Sequence, residues 1–423
     1  MSDADTLSRY DAVVVGGGPA GSTVAHLLAR AGNKVLVLEK ETFPRFRIGE
    51  SLLPFSNPIF EKLGVLDEIK KRFQHKLGAL FTEEGKEEKR KVVFADGLAR
   101  GHGLAFQVKR AELDELLLSA AAGAGAEVRF GWRVSALRRE GGAVRGVRAT
   151  GQDGATHEID ARVMVDASGR NALGARADGG VIPEEKLRRG ALFTHFSGVP
   201  CAEGETPGDI RMVIFDRGWW WFIPFCDGTW SVGVVADDLP AGATLDERFD
   251  RLVDSTATVR ERLKDARRTM PVQSESDYSY SVRNIVADGY LAIGDAAGFL
   301  DPIFSSGVFL AMSTGEKAAE VLIPVLARRE PVAARDLRDY ERFARKGFAR
   351  FRKFVVGFYE PGFRDVFYQK PPIRALYSSV TSILAGGVFA PSATLRLWSN
   401  VFLFFARREI RKSRRSAAEA STG

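Results

Sequence analysis

The N-terminal glycines have the spacing that binds the pyrophosphate of a dinucleotide. Gly16, Gly18 and Gly21 form a Gly-x-Gly-x-x-Gly motif that also contains Ala20. The first glycine permits a tight turn, the second lets the backbone approach a phosphate, and the third lets a helix pack closely on a strand. Glu39 follows Gly21 by 18 residues, where a carboxylate accepts a hydrogen bond from a ribose hydroxyl. These residues predict a dinucleotide site, and the acid disfavours NADP because it would repel the 2′-phosphate.

Two other features carry side chains that could act on a substrate. In the segment Trp219–Pro224, strand alternation places Trp219 and Trp221 on one face as a wide aromatic wall, although simple core packing is the plainer interpretation. Lys76 carries an amine, and burial would lower its pKa and favour the neutral form. A lone lysine is usually a surface residue, so its role depends on its surroundings.

The predicted elements around the glycines form a βαβ unit with a parallel sheet, because Ala12–Val15 and residues 34–38 are short apolar runs on either side of a helical stretch. Residues 190–235 alternate between apolar and polar side chains, which predicts an antiparallel sheet. The fold class is therefore α/β (α+β), with a Rossmann-like domain, an antiparallel sheet domain and a helical C-terminal region. The expected boundaries are 1–190 and 270–335 for the nucleotide domain, 191–269 with parts of 42–108 for the substrate domain, and 336–423 for the basic helical region.

Composition and charge restrict the function classes. The chain has 423 residues and only two cysteines, which form neither a disulfide framework nor a metal cluster and favour a reducing compartment. No apolar run approaches the ~18 residues of a membrane span, so we expect a cytoplasmic protein without integral membrane association. Residues 407–423 carry a net charge of +4. They are either a solvated helix face or a docking surface for an acidic carrier protein or a membrane surface. No nucleic-acid module is present.

A second segment favours FAD over NAD. Residues 291–298 form an apolar strand that ends in Gly294 and Asp295. Together with Val165–Arg170 and Arg110, this segment resembles the FAD-dependent monooxygenases, halogenases and prenyl reductases of the aromatic hydroxylase fold. The resemblance implies that Asp295 meets the ribityl chain or its phosphate and that Arg110 lies near FAD. It implies further contacts with FAD from Lys40, Arg47, Ser51, Asp166, Gly294, Pro302 and Gly307.

Four segments resemble the halogenase branch of that family. Phe46–Pro54 resembles a halogenase segment, Trp219–Pro224 fits W-x-W-x-I-P, and Phe299–Gly307 fits F-x-x-P-x-x-S-x-G. The segment around Lys76 resembles the one that bears the essential halogenase lysine. The resemblance implies catalytic roles for Lys76, Ser305, Trp219 and Trp221, with chloride or bromide held by the backbone amides of Ser306 and Gly307.

The implied reaction is electrophilic halogenation of an electron-rich ring in secondary metabolism. Reduced FAD, oxygen and halide would give hypohalous acid, which Lys76 would hold either by an ammonium hydrogen bond or as a haloamine. Only one dinucleotide fingerprint is evident, so a separate NAD(P)H-dependent flavin reductase would supply the reduced flavin. Phe304 stands where tryptophan halogenases carry a glutamate, which favours a phenol or pyrrole, free or tethered to an acyl or peptidyl carrier protein. The alternative is an FAD-dependent monooxygenase or a prenyl double-bond reductase, in which Lys76 and the tryptophan strand are structural.

Overall fold

The computed structural model describes residues 10–98, 102–276, 279–369, 373–390 and 392–422. The strands are β1 Tyr10–Val15, β2 Val35–Glu39, β3 Gln74–Lys76, β4 Gly78–Glu83, β5 Lys89–Val93, β6 Ala105–Gln107, β7 Glu127–Phe130, β8 Arg133–Glu140, β9 Ala143–Thr150, β10 Thr156–Asp166, β11 Val181–Pro183, β12 Gly190–Ser197, β13 Ile210–Phe215, β14 Gly218–Pro224, β15 Thr229–Ala236, β16 Arg267–Arg268, β17 Gln273–Ser276, β18 Tyr280–Val282, β19 Val286–Ala287, β20 Tyr290–Ala292 and β21 Gly298–Phe299. The α-helices are α1 Pro19–Arg30, α2 Asn57–Lys62, α3 Leu66–Arg72, α4 Arg110–Gly123, α5 Leu173–Ala177, α6 Leu245–Ser255, α7 Ala257–Leu263, α8 Gly307–Ala327, α9 Arg338–Phe358, α10 Pro361–Tyr368, α11 Arg374–Leu384 and α12 Ala393–Thr422.

The first sheet has a parallel centre in the order β20-β10-β1-β2-β7. Val13 pairs with Met164 on one side and with Leu36 on the other. All three side chains are fully buried, as expected for parallel strands that are covered on both faces. The predicted βαβ unit is confirmed, and both glycine segments lie at the carboxyl ends of strands in this sheet.

The second sheet has the order β16-β12-β15-β14-β13-β4-β5, with β17 also paired to β12. Strands β12 to β15 are antiparallel where they pair, as the alternation predicted. The β13–β4 pair is parallel, with Met212 opposite Phe81. Strand β4 therefore brings residues from far upstream, immediately after Lys76, into this sheet.

The helices α9 to α12 cover one face of the second sheet. Phe354 and Phe358 of α9 are buried in one apolar cluster with Phe402 of α12. The same cluster contains Trp219 of β14 and Phe304 from the loop before α8. Helical packing thus places the C-terminal region against the loop Phe299–Gly307, for which the sequence analysis predicted catalytic and halide-binding residues. Within the described ranges, no helix is both long and apolar enough to cross a membrane.

Candidate active site

At the junction of β1 and α1, two positions have no room for a side chain. Gly16 has a φ of +105°, and a Cβ there would lie 2.4 Å from the carbonyl oxygen of Ala167. A Cβ at Gly21 would lie 1.9 Å from the carbonyl oxygen of Gly16. A Cβ at Gly18 would meet nothing closer than the Arg45 guanidinium, at 3.7 Å. Gly16 and Gly21 therefore shape the turn, whereas the space in front of Gly18 is open for a ligand.

The N-terminus of α1 and the end of β2 surround this open space. Gly18 is the N-cap residue and no side chain in the described part of the chain caps the helix, so the first amide groups and the positive end of the helix dipole remain available to an anion. The buried carboxylate of Glu39 accepts a hydrogen bond from the Gly17 amide at 2.8 Å. The structure thus brings the glycine loop and the predicted ribose-binding acid together.

Asp295 presents an unused carboxylate beside the first sheet. It follows Gly294, and no described residue forms a hydrogen bond or salt bridge with its carboxylate, whereas its carbonyl oxygen accepts from the Tyr280 hydroxyl. Burial raises the pKa of Asp295 to about 6, although the positive charges of Arg170 and Arg110 act in the opposite direction. A half-buried acceptor without a protein donor is suited to a ligand hydroxyl.

Several other predicted cofactor residues form contacts within the protein. Asp166 accepts hydrogen bonds from the amides of Ser168 and Gly174 at 3.1 and 2.9 Å and from the Tyr290 hydroxyl at 3.1 Å. Its carboxylate therefore stabilises the loop after β10. Lys40 and Arg47 both face Glu41, at 3.9 and 2.6 Å. Arg110 pairs with buried Asp114 at 2.8 Å and donates to the carbonyl oxygen of Ile48 at 2.6 Å.

Lys76 is a buried amine at the end of β3, only 1% exposed. Its Nζ donates to the hydroxyl of Ser51 at 2.8 Å and to the carbonyl oxygen of Leu52 at 2.9 Å. Burial lowers the pKa of Lys76 to about 7, against the opposing effect of the Asp209 carboxylate. Both the neutral amine and the ammonium form are consequently populated near neutral pH.

A cavity of about 20 Å³ lies beside Lys76. This volume accommodates a molecule the size of water but no aromatic ring. Lys76 and Ser305, which has a left-handed φ of +55°, are the polar side chains on a lining that is otherwise apolar. The lining residues are Leu53, Lys76, Ala79, Phe81, Val92, Phe94, Ile210, Met212, Ile303, Phe304, Ser305 and Leu384.

The predicted halide residues lie at the start of α8, directly after the cavity loop. Ser306 is buried and is the N-cap residue, and this helix is not capped by any side chain that the structure describes. The Ser305 amide donates to the carbonyl oxygen of Pro302, so it is already used. A Cβ at Gly307 would meet no atom within 4 Å. The helix start therefore combines free amide groups with open space, which are the properties that an anion requires.

The tryptophan pair lies on one face of β14 but not on the Lys76 cavity. Trp219 and Trp221 have ring centroids 5.7 Å apart, and their indole groups donate to Tyr359 and Ser231 at 2.8 and 3.1 Å. Trp220 points to the opposite face, into a separate apolar cluster. The pair shares an apolar cluster with the cavity loop, yet neither indole lines the cavity.

A buried acid–histidine pair was missed by the sequence reasoning. Oε1 of Glu50 lies 3.1 Å from Nε2 of His195, and the buried Oε2 of Glu50 has no hydrogen-bond partner among the described residues. Glu50 immediately precedes Ser51, the acceptor for Lys76. Glu50 lies in the halogenase-like segment Phe46–Pro54 and His195 lies on β12, but no spacing rule connects two residues so far apart in the sequence.

The residues present fit FAD in three respects. The open space at Gly18 faces an uncapped helix, Glu39 lies beside it, and the Asp295 carboxylate has an unused hydrogen-bonding capacity. A pyrophosphate, a ribose and a polyol chain need an anion site and hydroxyl acceptors of this kind.

Comparisons with known proteins agree with this geometry. The tryptophan halogenase family model matches residues 11–100 and 82–370. The pyrrole-2-carbonyl-[peptidyl-carrier protein] chlorinase of Pseudomonas fluorescens is 30% identical over 92% of this chain and 91% of its own. The tryptophan 2-halogenase of Chondromyces crocatus is 34% identical over 84% of this chain and 69% of its own. The solved structure of the flavin-dependent brominase Bmp2 has a TM-score of 0.84, with 28% identity over 95% of this chain and all of that one. The chain therefore belongs to the tryptophan halogenase family and is an FAD-dependent halogenating enzyme.

Proposed function

We propose that this enzyme chlorinates or brominates a neutral, electron-rich ring that is presented on a carrier protein, with a pyrrole-2-carbonyl group as the best match. The observation that carries the proposal is the apolar cavity beside Lys76, whose described lining contains no carboxylate. A pyrrole acyl thioester carries no charge, so its ring approaches such a surface without leaving an ion unpaired.

Lys76 would hold the hypohalous acid next to the ring. The cavity matches a small oxidant rather than a ring, so an aromatic substrate would have to displace apolar side chains or reach the oxidant from the edge. The amine is already fixed by Ser51 and Leu52, which orients it without occupying every position around Nζ. Ser305 is the second polar group on the lining and would orient the oxidant from the opposite loop.

FAD would be held by the glycine loop, Glu39 and Asp295, within the discontinuous domain of residues 1–190 and 270–335. When bound and reduced, it supplies the oxygen activation that oxidises the halide. The start of α8 at Ser306 and Gly307 would hold that halide, and the rigid pair Trp219 and Trp221 would form part of the wall of the substrate domain. The reduced flavin would come from a separate reductase. The two exposed free cysteines suit a cytoplasmic location.

Free tryptophan is the second candidate, favoured by the 34% identity to a tryptophan 2-halogenase. Phe304 counts against it. This side chain is buried and packs edge-to-face on Phe358, with ring centroids 5.4 Å apart. It supplies an apolar surface where free tryptophan, with its charged amino and carboxylate groups, would need polar partners.

The test is a reconstituted reaction with FAD, a flavin reductase, NADH, oxygen and bromide. A pyrrole-2-carbonyl-loaded peptidyl carrier protein, a small free phenol and free tryptophan are compared, and products are read by mass spectrometry for the bromine isotope pattern. We expect the loaded carrier to react fastest. Lys76→Met should abolish bromination and leave oxygen consumption by reduced flavin nearly unchanged, whereas exposed Lys70→Met should leave both unchanged. Faster turnover of free tryptophan, or full product from Lys76→Met, would contradict the proposal.

A further inference from the structure

The outward face of α12 combines large apolar side chains with a cluster of cations. Leu397 is 60% exposed and Phe404 is 65% exposed. A concavity of about 460 Å³ begins at Phe404 and is lined by Phe404, Arg407, Arg408, Arg411, Lys412 and Arg415. These residues together with Leu397 are called here the α12 face. Exposed apolar area next to arginine is the composition of a protein interface.

The charge of this face is almost entirely of one sign. Between residues 393 and 415 the only acid is Glu409, and it pairs with Lys412 at 2.8 Å. The guanidinium groups of Arg407, Arg408 and Arg411 have no described carboxylate partner. The face therefore attracts an acidic surface, and its guanidinium groups match the geometry of a phosphodiester.

The order of the side chains distinguishes a protein partner from a membrane. Leu397, Phe404 and Arg411 repeat every seven residues, and Arg408 and Arg415 are also seven apart, so all five lie on nearly the same side of the helix. A helix that lies in a membrane interface separates its apolar side from its basic side. Here, insertion of Phe404 into lipid would draw Arg408 and Arg411 towards the acyl chains. A folded acidic partner with its own apolar patch meets no such cost.

The position of α12 connects this face with the reaction site. Leu395 and Phe402, on the inward side of α12, are buried in the same apolar cluster as the cavity residues Leu53 and Ile303. Helix α11 packs on α12 and contributes Leu384 to the Lys76 cavity. A partner on the α12 face would thus rest on the helices that close the cavity.

We infer that the α12 face is the docking surface for the acidic, phosphopantetheine-bearing carrier protein that delivers the ring. This inference rests on the proposed function, because it assumes a tethered substrate. The apolar end of the face would receive an apolar patch of the carrier. The arginines would pair with its acidic helix and with the phosphate of its arm.

The test compares two double variants with the same change of charge. Arg408→Glu/Arg411→Glu reverses the face, and Arg260→Glu/Lys264→Glu reverses two exposed cations at the end of α7, on the second sheet domain. For the loaded carrier, we expect kcat/KM of the first variant to fall roughly tenfold or more, mainly through KM, with less dependence on salt than in the wild type. Bromination of the free phenol should be unchanged in both variants, and the second variant should resemble the wild type throughout.

Direct binding separates this inference from the proposed function. In titration calorimetry, the wild type and the control variant should bind the unloaded carrier, whereas Arg408→Glu/Arg411→Glu should not. This result is expected even if the loaded carrier is not halogenated. Unchanged carrier binding and kcat/KM in that variant would overturn the docking surface. The wild type and the control variant could instead sediment with phosphatidylglycerol vesicles while Arg408→Glu/Arg411→Glu does not. If carrier binding were the same in all three, the α12 face would be a membrane-binding surface and the docking inference would be overturned. A wild type that brominates free phenol but neither binds nor uses the carrier would overturn both proposals.

Discussion

Lys76 shows how burial changes the chemistry of a common surface residue. An ordinary lysine is almost entirely an ammonium at neutral pH. Removing Nζ from water penalises the charged form, and among the described residues the amine donates hydrogen bonds to the neutral oxygen atoms of Ser51 and Leu52. The buried carboxylate of Asp209, which accepts from the Leu77 amide at 2.9 Å, acts in the opposite direction. The pKa of about 7 therefore reflects position rather than residue type.

The lowered pKa of Lys76 predicts a pH dependence of stability. Between pH 7 and 9 the unfolded chain binds a proton at this lysine, whereas the folded protein, with a pKa of about 7, largely does not. The free energy of unfolding should therefore rise with pH in this window by up to about 1.4 kcal/mol per unit from this group alone. Urea denaturation of the wild type and of Lys76→Met at pH 7 and 9 measures the difference in slope. The Lys70→Met variant should keep the wild-type slope, and equal slopes for wild type and Lys76→Met would show that Lys76 is charged in the folded state.

Residue types and local spacing predicted which side chains to examine, but not their partners. Lys76 and Ser51 are joined by a hydrogen bond that spans 25 positions, and Glu50 and His195 by one that spans 145. No local pattern encodes such pairs, because they are created when β3, β6 and the second sheet pack together. For Asp166 the motif predicted a contact with the cofactor, but the motif does not show which partner the carboxylate has. In the structure the carboxylate accepts hydrogen bonds from the amides of its own loop.

At the level of elements, the geometry of the turn between β1 and α1 predicts that substitutions of Gly18 and Gly21 have different effects on FAD binding and on stability. Gly18 has open space around a Cβ, so Gly18→Val should fold with nearly wild-type thermal stability, yet its side chain should block the pyrophosphate and prevent FAD retention. Gly21→Ala would force a Cβ to 1.9 Å from the Gly16 carbonyl oxygen and should destabilise the whole domain. Flavin absorbance after reconstitution, combined with thermal denaturation followed by circular dichroism, distinguishes the two. A yellow, FAD-loaded Gly18→Val protein would place the pyrophosphate elsewhere.

The sequence predicted those elements that have strong local periodicity. Strands β1 and β2 are continuous apolar runs around a glycine turn, and residues 190–235 form short apolar-rich stretches between turns, so both sheets could be expected. Strands β13 and β14 are nevertheless buried on both faces rather than alternating. The parallel pairing of β4 with β13 could not, because Phe81 and Met212 are brought together only by the closure of a long loop. This pairing has a structural consequence, since it places the segment after Lys76 in the second sheet.

At the scale of the whole molecule, the Lys76 cavity is a junction between regions that fold from distant parts of the chain. Leu53 comes from the segment after β2, Phe81 and Met212 from the second sheet, Ile303 from the loop before α8, and Leu384 from the C-terminal helices. An oxidant held beside Lys76, as proposed above, would be contained only while all of these regions remain packed. The C-terminal helices would therefore seal this cavity, and they also form the base of the α12 face.

Two leucines on α11 allow this seal to be tested. Leu384 and Leu376 are each 5% exposed and belong to the same apolar cluster, but only Leu384 lines the cavity. Either substitution by alanine should lower the free energy of unfolding by about 2–5 kcal/mol. Only Leu384→Ala should open the cavity, so a larger share of the oxidised bromine should reach a thiol scavenger in solution, at the expense of the halogenated carrier. Mass spectrometry measures how the oxidised bromine is divided between scavenger and carrier at equal oxygen consumption. The same division in both variants would mean that the oxidant is contained elsewhere.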